Sequence, residues 1–320
     1  MPDANDPLLT RIEDALVRLT GARDASLLLA VSGGPDSMAM LDLVRRCWTG
    51  PVAAATVDHG LRKESADEAA MVAGFCADMA VPHATLRPAA AITGSLQSAA
   101  RAARYALLQS HADQCGAAFI VTAHHADDQL ETLMMRLARG SGVDGMAGVR
   151  ARNGRIIRPL LGCRKTELVA HCDSHGIAFV SDPSNANTDF DRVRMRHALC
   201  RFDAIDPMMA IRTAEALADA ASALDWITAR EALSAIVISN AGVELSCADY
   251  PAGLLRRLVE RCLDVIQPGL TPRGVQIDRL IQSLQSGEQA MIGDILCRPA
   301  TDGQVWHFAP APRRGAGLRA

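Results

Sequence analysis

The sequence predicts an α/β protein with a doubly wound, mainly parallel sheet, a helical extension and a small C-terminal α+β domain. Three observations carry this. Short apolar runs without polar alternation, Leu27 to Val31 being the clearest, are what strands buried on both faces show. They alternate with longer stretches of helical spacing, as in Leu8, Leu9, Ile12, Leu16 and Leu19. Polar turns follow the runs, at the strand ends where parallel sheets gather ligands.

In chain order, Leu8 to Thr20 reads as an amphipathic helix and Leu27 to Val31 as the first strand. Ser32 to Pro35 is a glycine turn, and Asp36 to Cys47 is a helix through Met38, Leu41 and Val44. Pro51 to Val57 is the second strand and ends at Asp58-His59-Gly60. Asp58 and His59 either line a ligand pocket or simply form the turn. Ser65 to Met79 is helical and Val81 to Leu86 extended. A loop with Gly94 leads to a helix from Ser98 to Ala112, on which Arg101 and Arg104 share a face beside Tyr105. Ala117 to Thr122 is a further strand, running into a helix that Asp127 and Asp128 open and Gly140 closes. Asp128 and Glu131 project together from its first turns, with His124 and His125 just before them. Asp206-Pro207 suits the start of a long alanine-rich helix, Met208 to Leu233. Beyond it come helices at Leu254 to Val265 and Val275 to Gln285, then strands between Met291 and Phe308. The expected domains are 1–203, a helical linker 204–240, a small domain 241–310 and a disordered tail 311–320.

The 320 residues, 49% hydrophobic and 22% charged with a net charge of −3, describe an ordinary globular chain. No apolar run approaches membrane-spanning length, and the acidic N-terminus lacks a signal core, so a cytoplasmic protein with no membrane partner is expected. Nine cysteines stand scattered without a C-x-x-C pair, which fits a reducing compartment and argues against paired-cysteine metal sites. Charge is uneven: residues 148–201 hold nine Arg and one Lys against five Asp and Glu, a basic segment suited to phosphates.

The most informative string is Ser32-Gly33-Gly34-Pro35-Asp36-Ser37. Its backbone N–H groups converge ahead of a helix N-terminus, where unpaired amides and the helix dipole favour an anion. It is not the common P-loop, which requires a lysine near the glycines; the chain's only lysines are Lys63 and Lys165. The S-G-G-x-D-S pattern resembles the loop of the ATP pyrophosphatases, with the adenine nucleotide alpha hydrolase-like fold. That resemblance implies ATP held by Ser32, Gly33, Gly34, Pro35, Asp36 and Ser37, with Asp58 nearby, and Mg²⁺ on Asp36.

Five further strings make the resemblance specific: V-D-H-G-L-R at 57–62, A-R-x-x-R-Y at 100–105, H-H-x-D-D-Q-x-E-T at 124–132, R-L-x-R-G-x-G at 136–142 and R-P-L-L at 158–161. Together with Asp182-Pro183-Ser184-Asn185 they resemble tRNA(Ile)-lysidine synthetase. One departure stands at 192–196, where the family usually has R-N-x-[IL]-R and this chain has Arg-Val-Arg-Met-Arg. The resemblance implies an enzyme that adenylates the 2-carbonyl of the wobble cytidine of an isoleucine tRNA with a CAU anticodon, then ligates free L-lysine there and releases AMP and pyrophosphate. Asp36, Asp128, Glu131 and His125 are the catalytic candidates, with Asp36 and Asp128 as Mg²⁺ ligands. Asp128 and Glu131 hold either lysine or metal. Arg101, Arg104, Arg150, Arg152, Arg155, Arg158, Arg192, Arg194 and Arg196 are the candidates for tRNA phosphates, and a homodimer is compatible with the resemblance.

Two rivals remain. A tRNA base thiolation enzyme shares the loop but usually carries lysine where Pro35 stands, and paired cysteines. A non-catalytic ATP- or RNA-binding module would have lost turnover, against which Asp36, Asp128 and Glu131 stand intact.

Overall fold

Six strands organise the first part of the chain: β1 (Leu27–Ala30), β2 (Val52–Val57), β3 (His83–Leu86), β4 (Phe119–Val121), β5 (Arg152–Asn153) and β6 (Ile156–Ile157). The computed structural model describes residues 6–58, 60, 65–88, 96–180, 191–202, 204–246, 249–301 and 303–312. The strand order is β3-β2-β1-β4-β6-β5, parallel throughout except that β5 runs antiparallel to β6. The chain thus steps outward from β1 through β2 to β3, then returns to lay β4 on the other side of β1. That reversal makes the carboxyl ends of β1 and β4 the switch point at which such sheets bind ligands.

The helices of this part are α1 (Pro7–Thr20), α2 (Pro35–Cys47), α3 (Ser65–Asp78), α4 (Leu96–Gln114), α5 (Ala126–Leu137), α6 (Val143–Met146), α7 (Lys165–Ser174) and α8 (Asp191–Leu199). Side-chain alternation along β1 explains the layering. Leu27, Leu29 and Val31 join a core with Ile12 and Leu16 of α1, Met38, Leu41 and Val44 of α2, and Val72 of α3. Leu28 and Ala30 join a second core with Leu108 and Ala112 of α4. Each fully buried leucine contributes about 1.5–3 kcal/mol, so an uninterrupted apolar strand between two helical layers is the stable arrangement.

The sequence expectation treated residues 148–161 as a basic stretch with strings of its own; the structure makes it the β5–β6 hairpin and a 3₁₀ turn at Pro159–Gly162. β6 pairs with β4, so Arg158 follows a strand of the main sheet. The short α7 has no strong apolar stripe but packs beside α2 through a buried polar link. His171 Nε2 donates to Asp42 Oδ2 at 2.7 Å, and Arg46 Nε donates to the same oxygen at 2.7 Å.

The chain divides into two compact units, Met1–Ala218 and Asp219–Ala320, and α9 (Pro207–Ala235) runs across the division. Its early residues Ala210 and Ala214 pack on Leu130 and Leu133 of α5. Its last turn, with Ala232 and Ala235, belongs to the core of the second unit. That unit contains β7 (Ile236–Ser239), β8 (Gly242–Ser246), α10 (Ala252–Ile266), α11 (Gly274–Gln285), β9 (Ala290–Ile292), β10 (Ile295–Pro299) and β11 (Val305–Pro310). Its sheet is antiparallel in the order β7-β8-β11-β10-β9, with Leu258, Cys262, Ile277 and Leu280 packed against Leu245, Cys297 and Phe308. The hairpin β7–β8 is absent from the elements expected above; its signal is the β-branched run Ile236-Val237-Ile238 followed by a turn at Asn240 to Gly242. His59, Arg62, Gly94, Asp182 to Asn185, Asp203 and most of the expected tail lie outside the described residues.

The buried Asp42 gives a test of this core. Burial pushes its carboxyl up, but the hydrogen bonds from His171 and Arg46 outweigh that and hold it below its ordinary value of 3.8. The stabilisation is therefore present above that value and lost as pH falls through the lower, folded-state value. Asp42→Asn should cost about 3–5 kcal/mol near neutrality. In urea titrations, the gap between wild type and variant should narrow below about pH 4.

Candidate active site

The turn after β1 is shaped by its own residues. Gly33 has φ +85, a conformation that L side chains rarely adopt, and its carbonyl accepts from Val180 N at 2.9 Å. Ser37, which is buried, ties the two ends together: its Oγ accepts from Ser32 N at 3.1 Å and donates to Gly34 O at 2.9 Å. Pro35 occupies the first turn of α2, where a missing N–H costs nothing, and Gly34 caps the helix with no side-chain hydrogen bond. A Cβ on Gly34 would meet nothing nearer than Ser32 Oγ at 3.9 Å and Val180 O at 4.0 Å. The fold leaves room for a side chain there, and a ligand approaching the amides would use that room.

Asp36, in the first turn of α2, faces the start of α5. Its Oδ2 lies 3.5 Å from His125 Nε2, which is also 3.5 Å from Asp128 Oδ2, while His125 Nδ1 lies 3.5 Å from Asp127 Oδ2. Burial works against a charged ring, but hydrogen bonding to Asp127 and Asp36 and the charges of Asp128 and Asp36 prevail, raising the imidazole to about 10. His125 thus sits among three carboxylates, and its Nδ1 also faces Asp128 N at 3.4 Å, where it caps α5. Asp127, read from sequence only as a helix opener, also accepts from Lys165 N at 2.8 Å and so fastens α7 to the site. The doubled aspartate was the available signal.

The neighbouring His124 is the opposite case. Burial, then the charges of Arg158, Arg101, Arg104 and Arg192, push its imidazole down to about 2. It is neutral at any physiological pH, and its Nδ1 lies 3.0 Å from Thr122 Oγ1.

Glu131, only 3% exposed, is fully engaged: Arg192 Nε donates to Oε2 at 2.8 Å, Arg196 Nε to Oε1 at 2.6 Å and Arg196 Nη2 to Oε2 at 3.3 Å. Arg192 Nη2 also donates to Asp128 Oδ1 at 3.0 Å. These two arginines, candidates for tRNA phosphates, clamp α8 onto α5. Val193, standing where the resembled family has asparagine, is buried, which fits its apolar character. Arg194 pairs with Asp191.

The remaining candidates separate. Asp58 is a turn former: its Oδ1 accepts from Gly60 N at 2.9 Å and its Oδ2 from Arg87 Nε at 3.1 Å, so both oxygens are engaged at the end of β2. Arg101 is exposed and stacks on Tyr105 at 5.2 Å, and Arg104 is half-buried one turn on. Arg150, Arg152, Arg155 and Arg158 do not form one patch. Arg152 reaches Leu19 O at 2.9 Å and stacks on Phe119, Arg155 pairs with Asp113, and Arg158 is buried against the carbonyl of Arg150 at 2.6 Å.

Asp36 Oδ1 is buried and meets no partner among the described residues, an orphaned acceptor that fits a cation. Those residues contain no group of three or more side chains able to hold a metal by themselves. Such a set suits Mg²⁺, which is typically bound by one or two carboxylates and completed by substrate phosphates and water.

A parallel sheet with an amide turn after β1 and an acidic helix start after β4 defines an ATP-binding PP-loop protein, and residues 8–202 match the PP-loop domain family. The chain belongs to the tRNA(Ile)-lysidine synthase family. It is 38% identical over 305 residues to the tRNA(Ile)-lysidine synthase of Zymomonas mobilis, covering 92% of each chain. It is 40% identical over 298 residues to that of Novosphingobium aromaticivorans, covering 91% of this chain and 90% of the relative. The U34-tRNA thiolase NcsA of Methanococcus maripaludis superposes with a TM-score of 0.55 over 65% of this chain and 77% of its own, at 16% identity, a likeness of fold alone.

Two tests follow from this geometry. Gly33→Ala should lose about 1–2 kcal/mol of stability from its left-handed backbone. Gly34→Ala should lose no more than about 1 kcal/mol through the cap, yet weaken ATP binding by roughly tenfold or more in calorimetry. Equal stability losses with unchanged affinity would contradict the cradle. In nucleotide- and metal-free protein, imidazole ¹⁵N spectra should show His125 protonated at pH 8 and His124 neutral at pH 5.

Proposed function

We propose that this chain is an ATP-dependent ligase that joins lysine to the 2-position of the wobble cytidine of an isoleucine tRNA. The observation that carries the reading is the meeting of Asp36 and Asp128 at His125 beside the amide turn, in a chain of this family. A ring carbonyl oxygen is a poor leaving group, so it must first attack the α-phosphorus of ATP and expel pyrophosphate. The amine of lysine then attacks C2, and AMP departs with that oxygen.

The amides of Gly33, Gly34 and Asp36 would grip the outgoing diphosphate and, with the helix dipole of α2, oppose its growing charge, the N–H groups of Ser32 and Ser37 being used within the turn. Mg²⁺, held by Asp36 with Asp128 close by, would supply further neutralisation of the triphosphate. His125 keeps Asp36 and Asp128 convergent despite their mutual repulsion. Lysine arrives as an ammonium, and Asp128, beside the amide turn at the start of α5, is the anionic group that would receive it, since both oxygens of Glu131 are taken by Arg192 and Arg196. Arg101 and Arg104 on α4 remain as contacts for the RNA backbone, which would make binding salt-sensitive.

The direct experiment incubates the protein with ATP, Mg²⁺, labelled lysine and candidate tRNAs. Label should enter cytidine of an isoleucine tRNA with a CAU anticodon, and label elsewhere or nowhere would reject the reading. Asp36→Asn should slow pyrophosphate release by roughly 10²-fold or more, with tRNA affinity within about twofold of wild type. Undiminished release would remove Asp36 from the mechanism.

A further inference from the structure

Two buried polar side-chain atoms lack a hydrogen-bond partner among the described residues: Asp36 Oδ1 and Arg158 Nε. The first is an acceptor at the expected cation position. The second is a donor on a residue only 6% exposed, which the sequence made one of nine candidates for tRNA phosphates and to which the function proposed above gives no particular role. Arg158 follows β6 at the carboxyl edge of the sheet. Thr122 N donates to Ile157 O at 3.0 Å, so the end of β6 lies against the end of β4, where Thr122 and His124 stand. One Arg158 nitrogen is occupied, Nη1 donating to Arg150 O at 2.6 Å. A carbonyl dipole does not neutralise a buried guanidinium, and among the described residues no carboxylate pairs with it.

Such a group is costly. A buried charge is normally paired, and an unpaired donor loses its bonds to water without replacement. The surroundings add to the cost: Arg158, with Arg101 and Arg104, bears on His124, while Arg192 is already paired with Asp128 and Glu131. A buried guanidinium with a free N–H beside further arginines is an arrangement that an anion completes. A guanidinium presents its donors in a planar fork matched to phosphate oxygens.

We propose that Arg158 is the centre of a second anion subsite, at the joined ends of β4 and β6 and separate from the amide turn Ser32–Ser37, which takes a single phosphate group. This rests on the ATP and tRNA reading above and extends it. The phosphate comes either from the adenylyl part of the nucleotide or from the RNA backbone next to the target base. In both cases the subsite holds the half of the reaction that stays when pyrophosphate leaves. The amide turn then holds the departing half, and Asp36, in the first turn of α2, reaches His125 after β4.

The test uses the full chain and three probes measured by calorimetry: inorganic pyrophosphate, AMP, and an unmodified RNA hairpin with a CAU loop. Arg158→Met removes the charge and keeps the apolar stem. If the arginine is kept for a ligand, this variant melts at the same or a higher temperature than wild type without ligand. Its pyrophosphate affinity should stay within about twofold and its affinity for AMP, the hairpin or both should fall roughly tenfold or more. A loss confined to AMP assigns the nucleotide; a loss confined to the hairpin assigns the RNA. Arg158→Lys keeps the charge without the fork and should weaken the same probe by a smaller factor, which serves if the Met variant does not fold. Binding of all three probes within about twofold of wild type in whichever variants fold overturns the proposal. So does an equal loss for pyrophosphate, since the subsite would then not be separate, or a wild-type chain that binds pyrophosphate but neither AMP nor hairpin. Pyrophosphate binding by wild type reports on the amide turn alone, so failure of the nucleotide reading is seen independently.

Discussion

The structure depends on the parallel pairing of β1 with β4, Leu27 to Leu29 alongside Phe119 to Val121. These strands are nearly a hundred residues apart in sequence, and their pairing brings the turn at Ser32–Ser37 beside the histidines and carboxylates at 124–131. Without it the amide turn is an anion site with no partner and Asp128 is a helix cap. With it, Asp36 and Asp128 share one imidazole. The apolar strand that sandwiches between two helical layers is therefore also what assembles the chemistry.

The site that results is a balance of opposite charges at short range. His125 sits among Asp36, Asp127 and Asp128, and Arg192 and Arg196 sit on Asp128 and Glu131. Buried like charges cannot stay close without counter-ions, and each of these carboxylates has a basic side chain beside it. The two atoms left over, an oxygen of Asp36 and a nitrogen of Arg158, are of opposite sign and stand at the ends of β1 and β6, flanking β4. An enzyme that must neutralise a triphosphate and anchor a nucleotide has use for one of each.

Much of the fold was legible because its signals are local. The strand-turn-helix at 27–47, the acid-led start of α5 and the proline-led start of α9 each follow from residues within one or two turns of one another. The site was legible in composition but not in arrangement. Asp36 and Asp128 both lie against His125, whereas Asp58 is occupied by Gly60 and Arg87, and Glu131 by two arginines. A run of arginines reads as one basic face, yet Arg152, Arg155 and Arg158 point to three different partners because they lie on a hairpin at the sheet edge.

By itself the sequence determined the class of fold and the glycine turn after β1, because hydrophobic periodicity and the backbone freedom of Gly33 act over a few residues and survive any surroundings. Only the tertiary structure decided which charges neutralise which: Arg192 reaches Glu131 across 61 residues and Arg155 reaches Asp113 across 42. Coulomb energy depends on distance in space and on burial, and neither is fixed until the strands have paired.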